Sequence, residues 1–186
     1  MKEVFILLGS NRGDRIEYLT LALQLVTENA GTVLAKSAVY ETAPWGFDDP
    51  ISFLNQVVEI ETNLPAESLL ETLLSIEKQL GRKRSADACG CPVDSGSSEG
   101  NKDSCICEDD AAYAGRTIDI DILFYGKKIV FTNNLMVPHP RLHKRMFTLV
   151  PLNEISPDFI HPILRKPISL LVRDCPDHAE VKIFGQ

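Results

Sequence analysis

A short apolar strand interrupted by two aspartates is the feature that most limits how this chain can fold. Most of the residues from 118 to 124 are β-branched or aliphatic, and a predicted turn at Tyr125-Gly126-Lys127 follows them. Asp119 and Asp121 stand two positions apart, so in a strand both side chains point to one face, roughly 6–7 Å apart. Two neighbouring carboxylates repel each other and are costly to bury without a partner. This part of the sheet must therefore meet water or bring cations to the pair.

Both outcomes are consistent with the spacing. Paired carboxylates that leave most of a coordination shell open suit Mg²⁺, which keeps several waters and takes substrate phosphates as its other ligands. Arg116 lies just upstream, and its planar guanidinium can bind phosphate oxygens. The plainer interpretation is a strand with one solvated face, in which Asp119 and Asp121 simply meet water.

The order of the predicted elements indicates an α+β fold. The split βαβ pattern of ferredoxin-like folds places strand, helix, strand, strand, helix and strand in this order, with a largely antiparallel sheet flanked by helices. The elements that we expect from apolar periodicity, capping residues and turn residues are strands over 4–8, 32–42, 53–61, 115–124 and 127–131, and helices from Asp14 to about Asn29, from Pro65 to about Leu80 and over 141–152.

Length and charge favour one soluble domain over residues 1–186. A chain of 186 residues can bury a sizeable core, and its net charge of −7 argues against a general nucleic-acid binder. The first apolar run, Val4–Leu8, is too short for a signal peptide or a membrane span. We therefore expect a cytoplasmic protein, with no membrane partner and with mostly reduced cysteines.

The segment Ser85–Ala112 has the composition of a flexible insertion within this domain. It holds seven acids and one lysine, a net charge of −6 that leaves −1 for the remainder, and it has too few large aliphatic residues to form a core. Its four thiols raise the possibility of a tetrahedral Zn²⁺ site, although one residue separates each pair where two or more are usual. Incidental thiols on a mobile loop are the alternative that we favour over zinc. These thiols are Cys89, Cys91, Cys105 and Cys107.

Several separated motifs together resemble those of the 6-hydroxymethyl-7,8-dihydropterin pyrophosphokinase family of folate synthesis. The resemblance runs from Val4 to about Pro162, apart from the insertion. The motifs are Gly9-Ser10-Asn11, Tyr40-Glu41-Thr42-Ala43-Pro44-Trp45-Gly46, Phe53-Leu54-Asn55, Ile76-Glu77 with Gly81-Arg82-Lys83-Arg84, Arg116-Thr117-Ile118-Asp119-Ile120-Asp121-Ile122, and Val137-Pro138-His139 with Arg145 and Phe147.

The resemblance implies a reaction and a set of site residues. The family transfers the pyrophosphoryl group of ATP to the hydroxymethyl group of the dihydropterin and releases AMP, with two Mg²⁺ ions on Asp119 and Asp121. It implies that the catalytic residues are these two aspartates with Arg82 and Arg116. The residues implied for ATP are Glu77, Arg84, Tyr113, Ile122, His139 and Arg145, and those implied for the pterin are Thr42, Ala43, Pro44, Trp45, Phe53, Asn55 and Phe147.

Other classes of function stay open at this point. A ferredoxin-like binding module that has lost catalysis would keep the fold, although the retained aspartates and arginines argue against it. A metal or redox sensor built on the inserted cysteines is the second alternative. The stretch Ala112-Tyr113-Ala114-Gly115 departs from the family, which usually has a basic residue there, often followed by Trp and Pro. We expect the small-molecule substrates to be the only partners of a monomer.

Overall fold

The computed structural model of the protein describes residues 1–45, 49–82 and 116–185. The predicted insertion at 85–112, with its four cysteines, lies outside these residues. The described elements belong to one compact unit built from Met1–Arg82 and Gly115–Gln186. The strands are β1 (Lys2–Ser10), β2 (Thr32–Lys36), β3 (Tyr40–Thr42), β4 (Phe53–Thr62), β5 (Asp119–Tyr125), β6 (Val130–Phe131), β7 (Met136–Val137) and β8 (Val181–Ile183), and the α-helices are α1 (Arg15–Asn29), α2 (Ala66–Gln79), α3 (Met146–Ile155) and α4 (Ile168–Arg173).

The main sheet has the strand order β5-β1-β4-β3-β8, and β2 also pairs with β4. Every described pairing in it is antiparallel. With β2 and β3 counted as one position, this is the order that a split βαβ unit produces, so the predicted ferredoxin-like α+β fold is confirmed. Strands β6 and β7 form a separate two-stranded hairpin.

The two faces of the sheet bury different sets of side chains. Val4, Ile6 and Leu8 of β1 point to the face covered by α1 and α2, where they pack with apolar residues of both helices. Phe5 and Leu7 point to the opposite face and pack with Leu149 and other residues of α3 and α4. This alternation follows from the period of two along a strand. Because both faces of the sheet are covered, consecutive residues of β1 are apolar from Val4 to Leu8.

One predicted strand is divided in two. Thr32–Thr42 was expected to form a single strand, but β2 ends at Lys36 and β3 begins at Tyr40. At Ser37 the hydroxyl oxygen accepts the hydrogen bond from the Val57 N–H at 3.1 Å. A side chain thus replaces a backbone carbonyl in the ladder, and the chain leaves its regular pairing with β4 there.

The C-terminal third also differs from the prediction. The expected helix over 141–152 is a 3₁₀ turn at Leu142–Lys144 followed by α3, because Arg145 between them has an extended backbone with φ −129° and ψ 108°. The expected strand over 127–131 shortens to β6. The edge strand β8 was not predicted. None of the helices in the described ranges is long and apolar enough to cross a membrane.

Candidate active site

A row of residues across three strands forms the floor of a polar site. Gly9 of β1 lies opposite Asn55 of β4 on one side and opposite Asp119 of β5 on the other. Directly opposed residues share a face of the sheet, and this face is the one that α3 and α4 cover further along. A Cβ atom at Gly9 would lie 3.3 Å from Asn55 Oδ1 and 4.0 Å from Asp119 Cβ. The missing side chain at Gly9 therefore keeps space open between the two polar residues.

Two arginines converge on the Asp119 carboxylate. Arg82 binds Asp119 Oδ1, and Arg116 binds Asp119 Oδ2. Arg82 also binds the carboxylate of Glu77, whose Oε1 accepts a 2.7 Å hydrogen bond from the Ile120 N–H. Burial raises the pKa of Asp119, but the charges of Arg116 and Arg82 outweigh it and lower that pKa below the ordinary value. Asp119 is therefore ionised. Glu77, at the end of α2, connects this helix to β5 through its hydrogen bond with Ile120, the residue next to Asp119.

Asn11 holds the backbone of Arg116 in place. The Asn11 side-chain Oδ1 accepts a 2.7 Å hydrogen bond from the Arg116 backbone N–H. The backbone N–H of Asn11 donates to the Arg116 carbonyl at 3.0 Å. Asn11 is fully buried, so neither bond competes directly with bulk water. This pair of bonds fixes the segment from which Arg116 reaches Asp119.

Without a cation nearby, the ionised form of the Asp121 side chain is disfavoured relative to the protonated form. Burial raises its pKa to about 7, the neighbouring charges of Asp119 and Glu77 add to the increase, and Arg145 opposes it. Asp121 shares a sheet face with Asp119, since the two stand at i and i+2 of β5. A divalent cation at this position would favour the ionised form of Asp121 and relieve the repulsion between the two carboxylates.

The carboxylate pair fits the donor set that Mg²⁺ prefers. In the described part of the chain no group of three or more His, Cys, Asp or Glu side chains is placed to hold a metal ion. Mg²⁺ does not require such a cage, because it commonly binds through one or two carboxylates and takes waters and substrate phosphates as further ligands. Asp119 and Asp121 are thus suited to Mg²⁺ that arrives with a phosphate ligand.

His139 is neutral in this environment. Burial lowers its pKa to about 4, and the charge of Arg145 adds to the decrease while Asp119 opposes it. Its Nδ1 accepts a 3.3 Å hydrogen bond from the Arg141 N–H. A neutral imidazole whose Nδ1 is an acceptor carries its proton on Nε2. His139 can therefore donate a hydrogen bond to a phosphate oxygen without changing the charge of the site.

Aromatic side chains surround the guanidinium group of Arg145. Its central carbon lies 4.7 Å from the ring centroid of Trp45 and 5.5 Å from that of Phe147. Arg145 is 8% exposed, and these distances are typical of cation–π contacts. Phe147 also packs against the apolar cluster on the sheet face that carries Gly9 and Asn55.

The amide of Asn55 is fixed on the floor of the site. Its Nδ2 donates a 2.8 Å hydrogen bond to Thr42 Oγ1, and both residues are buried. Thr42 is paired with Phe53 in the β3–β4 ladder. Phe53 and Asn55 lie on one face of β4, so an aromatic ring and an oriented amide stand next to each other.

The structure brings many of the predicted site residues to one end of the sheet and separates others. Arg82, Arg116 and Asp119 are in direct contact, and Asp121, His139 and Arg145 interact with them electrostatically. Arg84 and Tyr113 lie outside the described residues. Glu77 is 1% exposed and supports Arg82 and Ile120, whereas the Ile122 side chain is buried in the core on the opposite face.

Gly9 and Asn11 stand in a recognisable sequence motif, but the motif alone indicates no role for them. Their roles depend on strand register and on a contact between residues 105 positions apart. The only signal available in the sequence was a small residue and an amide directly after an apolar strand.

Comparison with known proteins identifies the relatives of this chain. The model of the family described as 7,8-dihydro-6-hydroxymethylpterin-pyrophosphokinase matches residues 5–94 and 102–157. A 2-amino-4-hydroxy-6-hydroxymethyldihydropteridine pyrophosphokinase of Aquifex aeolicus is 38% identical over 90% of this chain and 89% of its own length. The Bacillus subtilis protein of the same name is 38% identical over 81% of this chain and 76% of its own length.

Some relatives are much longer. The folic acid synthesis protein fol1 of Pneumocystis carinii is 36% identical over 94% of this chain, which spans only 20% of that protein. Among solved structures, the wild-type Plasmodium falciparum HPPK-DHPS bound to SDX-DHP superposes with a TM-score of 0.66 and 17% identity, covering 94% of this chain and 43% of that one. At this identity the structural match supports the fold alone.

Proposed function

Because the chain belongs to the 7,8-dihydro-6-hydroxymethylpterin-pyrophosphokinase family, we propose that it transfers the pyrophosphoryl group of ATP to the hydroxymethyl oxygen of 6-hydroxymethyl-7,8-dihydropterin and releases AMP. The observation that carries this proposal is the joint presence of two aspartates and two converging arginines beside an aromatic and amide-lined surface. One part suits phosphates and the other suits a flat heterocycle, and Gly9 keeps the space between them open.

The phosphate side of the site works by charge and position. Arg82, Arg116 and Arg145 present three guanidinium groups, whose planar donors match phosphate oxygens, and neutral His139 adds a hydrogen bond. Phosphoryl transfer needs an aligned acceptor and stabilisation of developing charge more than covalent participation of the protein. We assign Asp119 and Asp121 to binding Mg²⁺, proposed as two ions, which when bound would supply positive charge that neutralises the phosphates.

The pterin side works by shape and hydrogen bonding. Phe53 and Phe147 offer flat aromatic faces, which hold a planar ring well. The Asn55 amide, oriented by Thr42, would meet the polar edge of the ring, together with the backbone from Thr42 to Trp45. The hydroxymethyl group would then extend along the floor, past Gly9, towards Asp119.

The proposal is tested by measuring AMP formation from ATP, Mg²⁺ and the hydroxymethyl dihydropterin. We expect AMP and a pyrophosphorylated pterin in equal amounts, and no AMP when Mg²⁺ or the pterin is omitted. Asp121→Asn should reduce kcat by about 10²–10³-fold, as loss of one group that stabilises transition-state charge commonly does. Asp158→Asn, at an exposed position outside the site, is the matched control and should keep wild-type turnover. Absence of AMP from the folded wild-type chain would refute the proposal.

A further inference from the structure

Two arginines, one in the loop before α1 and one at its first residue, hold the chain segment that leads into Phe53. Arg12 makes two parallel hydrogen bonds to Asp49, at 3.1 Å from Nη1 to Oδ1 and 2.5 Å from Nη2 to Oδ2. Arg15 donates from Nη1 to the Ser52 carbonyl at 2.8 Å. Asp49 and Ser52, just before Phe53, are therefore held by side chains from another part of the sequence. Asp49 in turn accepts a 2.9 Å hydrogen bond from the Ile51 N–H.

The Arg12–Asp49 pair has the geometry of a structural contact. The Asp49 side chain is 7% exposed and that of Arg12 is 39% exposed. Most exposed ion pairs contribute little, but two-point binding of a carboxylate by arginine holds both groups in one orientation. The hydrogen bond from Arg12 also lowers the pKa of Asp49, so the carboxylate is ionised at neutral pH.

The same loop reaches the phosphate side of the site. Asn11, next to Arg12, holds the Arg116 backbone through the two bonds described above. Arg12 Nη1 also donates to the Asn11 carbonyl at 3.2 Å. Residues 11–15 thus contact both the segment that carries Arg116 and the segment that leads to Phe53. Among the described residues, the hydrogen bonds of the Arg12 side chain go to Asn11 and Asp49, neither of which we assign to substrate binding.

We propose that Arg12 is a positioning residue for the pterin side of the site. Through Asp49 it fixes the approach of the chain to Phe53, and it thereby sets the affinity for the flat heterocycle without changing the chemical step. This inference rests on the proposed function, because the pterin is the ligand assigned to Phe53. Arg15 contributes in parallel, but its contacts with both Glu41 and Ser52 make its removal less selective.

The test compares Arg12→Met, Asp49→Asn and the double variant. We expect each single change to raise the KM and Kd for the pterin by about three- to tenfold, since a well-aligned and partly buried pair exceeds the usual surface value. The kcat and the Kd for ATP should stay within about twofold. If the pair acts as one unit, the double variant should be no worse than either single variant. Lys166→Met, which removes an exposed ion pair to Asp174, is the control and should leave the pterin KM unchanged.

A second readout does not depend on activity. Trp45 is the only tryptophan of the chain, so acrylamide quenching of its fluorescence reports on the segment between β3 and β4. We expect Arg12→Met and Asp49→Asn to raise the quenching constant by about twofold, and Lys166→Met to leave it at the wild-type value, because only the first two changes release the anchored end of the segment.

The outcomes separate this inference from the proposed function. Unchanged quenching in Arg12→Met would show that the ion pair does not hold the segment and would overturn the inference. Increased quenching with an unchanged pterin Kd, or a fall in kcat with an unchanged KM, would equally overturn it. A wild-type chain that forms no AMP would refute the proposed function, and the quenching series would still decide whether Arg12 anchors the segment.

Discussion

At the scale of single residues, the missing side chain at Gly9 shapes the site as much as any charged group. Asn55 cannot easily move away from a new methyl group at position 9, because its amide is bonded to Thr42 Oγ1. The contact of 3.3 Å between a Cβ at Gly9 and Asn55 Oδ1 is tight enough to require a shift of a few tenths of an ångström. The floor of the site is therefore sensitive to a change as small as one methyl group.

We accordingly predict that Gly9→Ala weakens binding of the hydroxymethyl dihydropterin by about five- to thirtyfold, or about 1–2 kcal/mol of overpacking cost. Isothermal titration calorimetry with and without an ATP analogue measures this directly. Ser10→Ala is the matched control, because Ser10 faces the opposite side and its buried hydroxyl has no hydrogen-bond partner among the described residues. It should preserve binding and not reduce stability. Equal pterin affinity in Gly9→Ala and the wild type would contradict the assigned floor.

Glu77 provides a second prediction at this scale. In Glu77→Gln the amide oxygen can still accept the hydrogen bond from Ile120 N–H, but the charge that helps to hold Arg82 is lost. We expect kcat to fall by about tenfold, a cost near 1.4 kcal/mol, with a smaller change in the pterin Kd. Glu71→Gln, at an exposed position of the same helix, should behave as wild type in both measurements. A variant Glu77→Gln with wild-type kcat would show that Asp119 alone suffices to hold Arg82.

At the scale of elements, the start of α1 can be tested independently of the site. Asp14 caps the helix, and its side chain accepts a 3.0 Å hydrogen bond from the Glu17 N–H. Asp14→Ala should lower the free energy of unfolding by about 1 kcal/mol, whereas Asp14→Asn, which can still accept that bond, should cost only a few tenths of that amount. Urea denaturation with an unchanged m-value checks the prediction. Equal losses in both variants would show that the charge of Asp14, rather than its cap bond, stabilises the helix.

The elements that the sequence predicts well are those with long, regular apolar periodicity. Strands β1, β4 and β5 and helices α1 and α2 were all predicted in the correct order, because each buries a face that is visible as a period of 2 or 3.6. The break at Ser37 depends on one hydroxyl that bonds across to Val57, and the break before α3 depends on the extended backbone of Arg145. Strand β8 is three residues long, and among the described strands it pairs only with β3. Local sequence carries no sign of such tertiary partners.

The sequence predicts which charged residues belong to the site, but not which other residues hold them in place. Asp119, Asp121 and the arginines are charged groups in unusual positions, and such residues can be noticed without a structure. Their supporting residues cannot be found in this way, since Asn11 and Arg116 are far apart in sequence, and Asp49 becomes significant only when Arg12 reaches it. Polar residues in a loop are common, and only the fold shows which of them are buried and bonded.

At the scale of the whole molecule, one buried histidine links stability to pH. His161 is 3% exposed and packs edge-on against Phe124 at 5.3 Å, and the His143 ring lies 6.5 Å away. Its Nδ1 accepts hydrogen bonds from the N–H groups of Ile163 and Leu164, both at 3.2 Å. Burial, followed by the charge of His143, lowers its pKa to about 4. Protonation would therefore disrupt packing that joins β5 to the C-terminal part of the chain.

The sign of the pH effect follows from the two pKa values. The folded form releases its proton at about pH 4, whereas a histidine in the unfolded chain titrates near its ordinary value of about 6.5. Between these pH values the unfolded chain binds more protons than the folded one, so the contribution of His161 to stability is complete above about pH 6.5 and is lost as the pH falls towards 4. We expect this loss to amount to about 1–3 kcal/mol after relaxation of the surroundings.

The variant His161→Asn isolates this contribution, because its side-chain oxygen can accept the bonds from Ile163 and Leu164 but does not titrate. His139 and His143 also have lowered pKa values and Asp121 a raised one, and all three remain in the variant, so the difference between the two pH profiles reports His161 together with its interaction with His143. Urea denaturation from pH 7.5 to 4.5 should show the wild type losing about 1–3 kcal/mol more than His161→Asn. His178→Asn, at an exposed position, should follow the wild-type profile. Parallel profiles for the wild type and His161→Asn would mean that His161 becomes protonated in the folded protein without cost.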